Sequence, residues 1–467
     1  MKTILAALLF AISVAALAAD NGVKVPPFER VQLANGAVVL LMERHDVPLI
    51  AFSAVLRGGA VSDPQGASGT ASLLVSLLEK GAGTRDAAAF AETVASVGGQ
   101  IETSASTESI AVSGSFLARD QQLMVELLAD MLQRPRLEQE QFDTLRARHI
   151  EFIRAAKESD LAALAPIYGE AYLFGTHPYG RAVDGSEASL AALKHADLQR
   201  YYQEQVGADR LILTVAGDFK SAQLKQRIER AFSGWRKASA PLPPIPPVQK
   251  VAGRRVLLID APDSVQSYFW AGSVGVPKND PRRAALDVTN TLFGGRFTSM
   301  LNSELRIRTG LSYSASSRFD RLLQTGHWEL SSFTQTETTI QALDLALATL
   351  DKLHDSGLDP SMLDSGKSYV QGQYPLALET AGQWTAQLAT LEFYGLPRSY
   401  IDDYSAALAA VSIDDTQRAI RDVFPPSSAL AIVVVGNASA IRDGLRKYGP
   451  VTEMKLADPT FTPVRAQ

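Results

Sequence analysis

Short apolar runs and longer amphipathic stretches follow one another along the first half of the chain. The apolar or alternating runs predict strands at residues 37–43, 49–57, 109–116 and 210–216. Helical periodicity predicts helices at residues 66–80, 86–97, 119–132, 138–157, 161–174, 188–204 and 220–232, with Asp86 placed as an N-cap. Strands before and after a block of helices indicate an α+β domain with helices on one face of a sheet, in preference to a β-sandwich or a doubly wound sheet.

The two halves of the chain repeat each other. Residues 211–218 match residues 430–437, and residues 47–56 match residues 265–274 at nearly the same spacing. Between the halves, residues 241–247 contain five prolines, which cannot continue a helix or a central strand. We therefore expect two duplicated domains, at 25–238 and 251–460, joined by a proline-rich linker at 239–250.

The first nineteen residues have the pattern of a secretory signal peptide. Lys2 is followed by an apolar run too short to cross a bilayer, and small residues at 16 and 18 suit a cleavage site. The formal net charge is −5 and there is no cysteine. These features predict an exported protein without disulfides or thiolate metal sites, and they give no sign of nucleic-acid binding.

One helix has a distinctive motif in residues 66–84, where Gly69 is followed by Ser72, Val75 and Ser76. This stretch resembles the first helix of the M16 (pitrilysin/insulinase) family of zinc peptidases. In that family the helix has the pattern Gly-x-x-His-x-x-Glu-His, which supplies two zinc ligands and the general base. The resemblance implies that serines replace both histidines and that a valine replaces the glutamate. Such side chains cannot bind a catalytic zinc ion.

Further segments extend the resemblance over nearly the whole mature chain. They are residues 57–60, 177–180, 185–186, 216–218, 294–301 and 305–313. M16 proteins contain two homologous α+β domains, each with a mostly antiparallel sheet and helices on one face, and pairs of such units close over a peptide. The resemblance implies this architecture here.

The family's third zinc ligand is a glutamate on a later helix, and the resemblance places that position at Phe152. Glu151 lies one residue away, which rotates its side chain by about 100°, so we expect it to face elsewhere. No two of the six histidines are spaced i, i+4, and we expect His177 to be a turn residue and His149 to lie away from the site. The chain is thus expected to bind no metal or other cofactor.

Ser72 and Ser76 also raise the alternative of a serine hydrolase, because they lie on one helical face. No histidine or lysine is close in sequence to activate either hydroxyl. Small polar residues filling a former ligand pocket are the favoured interpretation.

The second half has the better functional candidates. Arg306 and Tyr313 resemble the pair with which M16 enzymes bind the substrate backbone and the developing oxyanion across the cleft. Gly294 and Gly295 resemble a short form of the glycine-rich substrate loop in the non-zinc subunit of mitochondrial processing peptidase.

The first half has a further candidate, because the family's substrate-pairing edge strand corresponds to residues 100–107 here. Its candidate binding residues are Ser104, Ala105 and Ser106.

These observations favour a periplasmic, non-zinc subunit that binds peptide and supplies Arg306 and Tyr313 to a zinc-bearing M16 partner. Zinc is then expected in the partner only. The rival hypothesis is a purely structural or assembly protein of the same fold, and the serine hydrolase is a minor third. Substitution of Arg306 and Tyr313 separates the first two, because only the first predicts loss of proteolysis.

Overall fold

The computed structural model describes residues 22–463, so the predicted signal peptide lies outside the described residues. The strands are β1 (Glu29–Gln32), β2 (Val38–Glu43), β3 (Leu49–Arg57), β4 (Gly81–Ala82), β5 (Arg85–Asp86), β6 (Gln100–Ala105), β7 (Ser109–Leu117), β8 (Leu211–Gly217), β9 (Arg255–Asp260), β10 (Gln266–Val274), β11 (Ala315–Arg321), β12 (Gly326–Gln335), β13 (Ala431–Gly436) and β14 (Val451–Lys455). The α-helices are Thr70–Leu78, Ala87–Ser96, Gln121–Gln133, Gln139–Ser159, Leu161–Phe174, Glu187–Ala192, His195–Gln205, Ser221–Phe232, Arg283–Asn290, Met300–Asn302, Thr339–Ser356, Pro360–Gln373, Ala381–Tyr394, Ser399–Asp402, Tyr404–Ala410, Ile413–Val423 and Ala438–Leu445. Two π-helical segments, Thr291–Gly295 and Ser303–Arg308, lie in the second half.

Two six-stranded sheets carry the duplication. The N-terminal sheet has the order β1-β2-β8-β3-β7-β6, and the C-terminal sheet has the order β14-β9-β13-β10-β12-β11. The last five strands in each order correspond one to one. Strand β2 is parallel to β8 and β9 is parallel to β13, whereas all other neighbours among these five strands are antiparallel. The sheets differ at one edge, where β1 pairs antiparallel and β14 pairs parallel. The α+β fold class is confirmed.

Each sheet has an inner face, which packs against the helices of its own half. In the N-terminal half, Ile50, Phe52, Val112 and Phe116 from the strands join apolar residues of helices Thr70–Leu78 and Gln121–Gln133 in one core. The C-terminal half builds an equivalent core. Asp86 caps its helix by accepting the Ala89 N–H at 2.9 Å, as predicted.

The outer face of each sheet receives one helix from the other half, which the sequence did not predict. Helix Leu161–Phe174 packs on β10 and β13, and helix Ala381–Tyr394 packs on β3 and β8. Gly169 permits the first contact, because a Cβ there would lie 2.4 Å from the buried Trp270 ring. In the second contact the Thr214 hydroxyl donates to the Thr385 carbonyl at 2.9 Å. The exchange joins the two halves through apolar surface.

Glu108 adds a buried polar connection between the halves. Its carboxylate accepts the Tyr179 hydroxyl at 2.5 Å from the N-terminal half. It also accepts the Leu323 N–H at 3.0 Å and the Tyr394 hydroxyl at 3.4 Å from the C-terminal half. Burial raises the pKa of Glu108, and these donors oppose that rise.

The proline-rich segment belongs to residues 235–254, which contain no helix or strand and connect helix Ser221–Phe232 to β9. The predicted helix 188–204 is two helices, because Lys194 has an extended backbone and starts a new helix whose Asp197 bonds back to it. Within residues 22–463, no helix has both the length and the hydrophobicity needed to span a membrane.

Candidate functional site

The family resemblance assigns four degenerate zinc positions, which are Ser72, Val75 and Ser76 on helix Thr70–Leu78 and Phe152 on helix Gln139–Ser159. A buried carboxylate from the preceding loop holds the start of this helix. Asp63 accepts the Gly69 N–H at 2.8 Å and the Ala71 N–H at 2.9 Å, and burial raises its pKa to about 7. The helix frame of the site is therefore retained.

Hydrogen bonds occupy the helix face on which the resemblance places the metal. The Ser72 hydroxyl donates to the Asp184 carboxylate at 2.7 Å, and the Ser76 hydroxyl donates to the Ser72 carbonyl at 3.1 Å. Val75 is buried among apolar neighbours. The serines thus act as small polar groups that are satisfied within the protein.

The expectation that His149 lies away from the site is wrong, because the structure places His149 beside Ser76. Its Nε2 lies 3.2 Å from the Ser76 hydroxyl, which connects helix Gln139–Ser159 to helix Thr70–Leu78. Burial lowers the pKa of His149 and thereby favours the neutral imidazole. The missed signal was its position three residues before Phe152, which places both on one side of a helix.

Phe152 and Glu151 differ in what they offer. Phe152 is 67% exposed. The Glu151 carboxylate points to solvent and pairs with Arg154 at 2.7 Å. Neither residue adds a ligand atom to the serine-lined face.

The donor set does not fit zinc. The degenerate positions provide two hydroxyls, an isopropyl group and a phenyl ring, whereas a catalytic zinc needs about three nitrogen, oxygen or sulfur ligands from side chains such as His, Asp or Glu. Across residues 22–463, no group of three or more His, Cys, Asp or Glu side chains is arranged to hold a metal ion.

The Ser76–His149 pair does not complete a serine-hydrolase site. Asp184 accepts the Ser72 hydroxyl, and no carboxylate in the described part of the chain hydrogen-bonds to His149. The imidazole therefore lacks the orienting acceptor that a catalytic triad uses. The arrangement serves as a link between helices.

Arg306 and Tyr313 form an exposed cluster with Phe297, which we call the aromatic–arginine cluster. The Arg306 guanidinium carbon lies 4.2 Å from the Tyr313 ring centroid and 4.7 Å from the Phe297 ring centroid. Tyr313 is 71% exposed and Phe297 is 57% exposed. No described carboxylate pairs with Arg306, so stacking orients the guanidinium while its N–H donors stay available.

The two candidate loop glycines have different environments. Gly294 is buried, and a Cβ there would lie 2.4 Å from the Ser317 hydroxyl, so close packing explains this glycine. Gly295 is exposed at the end of the π-helical segment Thr291–Gly295. Of the pair, only Gly295 is placed to meet a ligand.

Strand β6 is an open edge of the N-terminal sheet. The Ser106 N–H bonds to the Ser109 carbonyl in the turn, so alternation directs the N–H of Ser104 toward β7 and that of Ala105 away from it. The Ser106 carbonyl accepts the Ala60 N–H at 3.0 Å, so both backbone groups of Ser106 are bonded within the protein. The Thr103 hydroxyl donates to Glu79 at 2.7 Å and links β6 to helix Thr70–Leu78.

Two family models match this chain. The model described as "Insulinase (Peptidase family M16)" matches residues 38–181, and the one described as "Peptidase M16 inactive domain" matches residues 192–369. The chain belongs to the M16 peptidase family.

The chain is similar to several bacterial proteins. A protein of Streptomyces coelicolor named "uncharacterized zinc protease" is 25% identical over 409 residues, which cover 86% of this chain and 89% of that relative. A Helicobacter pylori protein named "non-peptidase homolog" is 24% identical over 365 residues, which cover 78% of this chain and 83% of that relative.

Solved structures share the fold. The crystal structure of a peptidase M16 inactive domain from Pseudomonas fluorescens has a TM-score of 0.82 at 22% identity, and the match covers 88% of this chain and 98% of that one. A protease from Helicobacter pylori has a TM-score of 0.81 at 20% identity, with 88% and 99% covered. Together with the degenerate zinc positions, the family match identifies a catalytically incomplete M16 member.

Proposed function

We propose that this chain is the non-zinc subunit of a two-chain M16 peptidase in the periplasm. It binds an extended peptide along β6 and brings Arg306 and Tyr313 to the metal site of a zinc-bearing partner. The partner supplies the zinc and the general base, because the degenerate zinc positions of this chain supply neither. The predicted signal peptide supports the periplasmic location.

The aromatic–arginine cluster is the observation that carries this proposal. An arginine flanked by two exposed rings, without a carboxylate partner among residues 22–463, has N–H donors available for an acceptor from outside the chain. Tyr313 adds a neutral hydroxyl donor beside it. Two such donors can bind a peptide carbonyl and the oxyanion that develops from it. Arg306 lies within the π-helical segment Ser303–Arg308, and this type of irregularity is frequent at functional sites.

A structural or assembly role is the second candidate. The hydrogen bonds of Ser72, Ser76 and His149 favour it, because they form a stable replacement for a metal site. Under this alternative the aromatic–arginine cluster is only part of a protein interface. Changes to its donors would then alter assembly and leave catalysis intact.

Reconstitution with a zinc-bearing M16 chain from the same organism tests the proposal. Tyr313→Phe removes one hydroxyl and keeps the ring, so we expect kcat of the complex to fall by about 10²-fold with KM nearly unchanged. Arg306→Lys should not restore full activity, since an ammonium group cannot reproduce the forked donors.

Tyr369→Phe is the matched control, because Tyr369 is another exposed tyrosine of the C-terminal half. It should leave kcat unchanged. Full turnover by a Tyr313→Phe complex that assembles normally would contradict the proposal and favour the structural role.

A further inference from the structure

The outer face of the N-terminal sheet contains a cavity of about 750 Å³. Its floor consists of small side chains from β3 and β7, which are Ala51, Ser53, Ala111, Ser113 and Ser115. Residues of β6 border one side, and the start of helix Ala381–Tyr394 borders the other. We call this cavity the outer-face trough. Its volume lies within the range of ligand-binding pockets.

The C-terminal half shows that the fold does not require this space. Tyr268 and Phe333 are paired across β10 and β12 where Ala51 and Ser115 are paired across β3 and β7. Ala51 pairs with Ala216 of β8 and Tyr268 pairs with Val435 of β13, which sets this correspondence one residue away from the sequence match of 47–56 to 265–274. Their rings stack with centroids 5.8 Å apart. Trp270 likewise occupies the position of Ser53 and is fully buried. Large rings fill this face in one half, and small residues leave it open in the other.

The trough is continuous with the open edge of β6. Side chains of Gln100, Glu102 and Ser104 line it, whereas Thr103 points to the opposite face and bonds to Glu79. A peptide strand paired with β6 would direct every second side chain to the outer face. Those side chains would reach the mouth of the trough.

The charges and apolar surfaces of the trough define the side chain that fits. Glu102 and Glu379 line it, and neither carboxylate has a hydrogen bond or an ion pair with a described residue. Arg44 also lines it, but Asp46 pairs with it at 2.8 Å. Exposed Leu49 offers apolar surface at the rim. A long aliphatic stem with a cationic end matches both features.

The geometry points to a side-chain subsite: the outer-face trough takes an outward-facing arginine or lysine of an extended peptide that pairs with β6. This inference rests on the peptide-binding part of the proposed function and adds a preference for basic residues. It concerns the face of β6 opposite helix Thr70–Leu78, so it is separate from the degenerate zinc positions.

Fluorescence anisotropy with labelled peptides tests the subsite. The probes are a nonapeptide of threonine and valine with a central arginine, and the same peptide with alanine at the centre. We expect the arginine peptide to bind about ten-fold more tightly, the factor for one hydrogen-bonded charged contact. Equal affinities would overturn the inference.

Two variants locate the preference. Ser115→Phe copies the Phe333 position and fills the trough, so it should remove the arginine preference, while Ser316→Phe on exposed β11 should keep it. Glu102→Gln removes one carboxylate without adding volume and should reduce the preference even if Ser115→Phe fails to fold. A preference that persists in Glu102→Gln and in folded Ser115→Phe would overturn the inference.

Ala105→Pro separates this inference from the proposed function. Loss of the outward N–H should weaken binding of both peptides equally. If Ala105→Pro weakens the binding of both peptides and the wild type binds the two peptides equally, only the subsite in the outer-face trough is refuted. If neither weakens, peptide pairing with β6 is refuted, and the subsite with it.

Discussion

Gly169→Ala is expected to destabilise the protein, although alanine is the better helix former. A Cβ at Gly169 would lie 2.4 to 2.7 Å from three ring carbons of the buried Trp270. Overpacking of this kind costs about 1–3 kcal/mol, and the gain in helix propensity offsets up to about 1 kcal/mol. We therefore expect the free energy of unfolding to fall, by up to about 3 kcal/mol.

Gly372→Ala is the matched control, because Gly372 lies in helix Pro360–Gln373 and a Cβ there would meet nothing within 4 Å. That variant should gain up to about 1 kcal/mol. Urea unfolding followed by tryptophan fluorescence compares the two variants with the wild type. The difference in free energy of unfolding between the two variants measures the cost of the contact with Trp270. Equal midpoints for Gly169→Ala and Gly372→Ala would refute the packing of helix Leu161–Phe174 on the C-terminal sheet.

Two further predictions concern buried titratable groups. Burial lowers the pKa of His149 in the folded state, so the unfolded chain binds the proton first as the pH falls below about 6.5, and stability is lost on acidification. His149→Gln should make the thermal midpoint less dependent on pH between about pH 8 and pH 5, and parallel profiles would contradict this. Glu108→Ala should lower the free energy of unfolding by about 3 kcal/mol, because it leaves the Tyr179 hydroxyl and the Leu323 amide without their acceptor. Glu108→Gln keeps an acceptor and should lose less in the same unfolding assay.

Local patterns predicted most of the fold, because long apolar strands and periodic helices leave a clear signal. Strand β1 was missed since three of its four residues are polar and exposed. The exchange of helices between halves was also missed. Helix Leu161–Phe174 has apolar residues on several sides, which is typical of a helix buried between two surfaces, and this signal was available.

The site was predictable only in part. The spacing of Ser72, Val75 and Ser76 is local, so the loss of the zinc motif could be found from the sequence. The contact between Ser76 and His149 joins two helices, and its signal in the sequence was indirect, namely the spacing of three residues between His149 and Phe152. The outer-face trough depends on side-chain volumes across three strands and a helix from the other half. No local pattern in the sequence encodes such a cavity.

The most direct test of the account is peptide hydrolysis by this chain alone, by a zinc-bearing M16 partner alone, and by their equimolar mixture, with zinc measured in each chain. The account predicts no hydrolysis and no tightly held zinc for this chain alone, and a mixture faster than the two separate rates combined. Hydrolysis by this chain alone with one tightly bound zinc would contradict it, as would a mixture no faster than the partner.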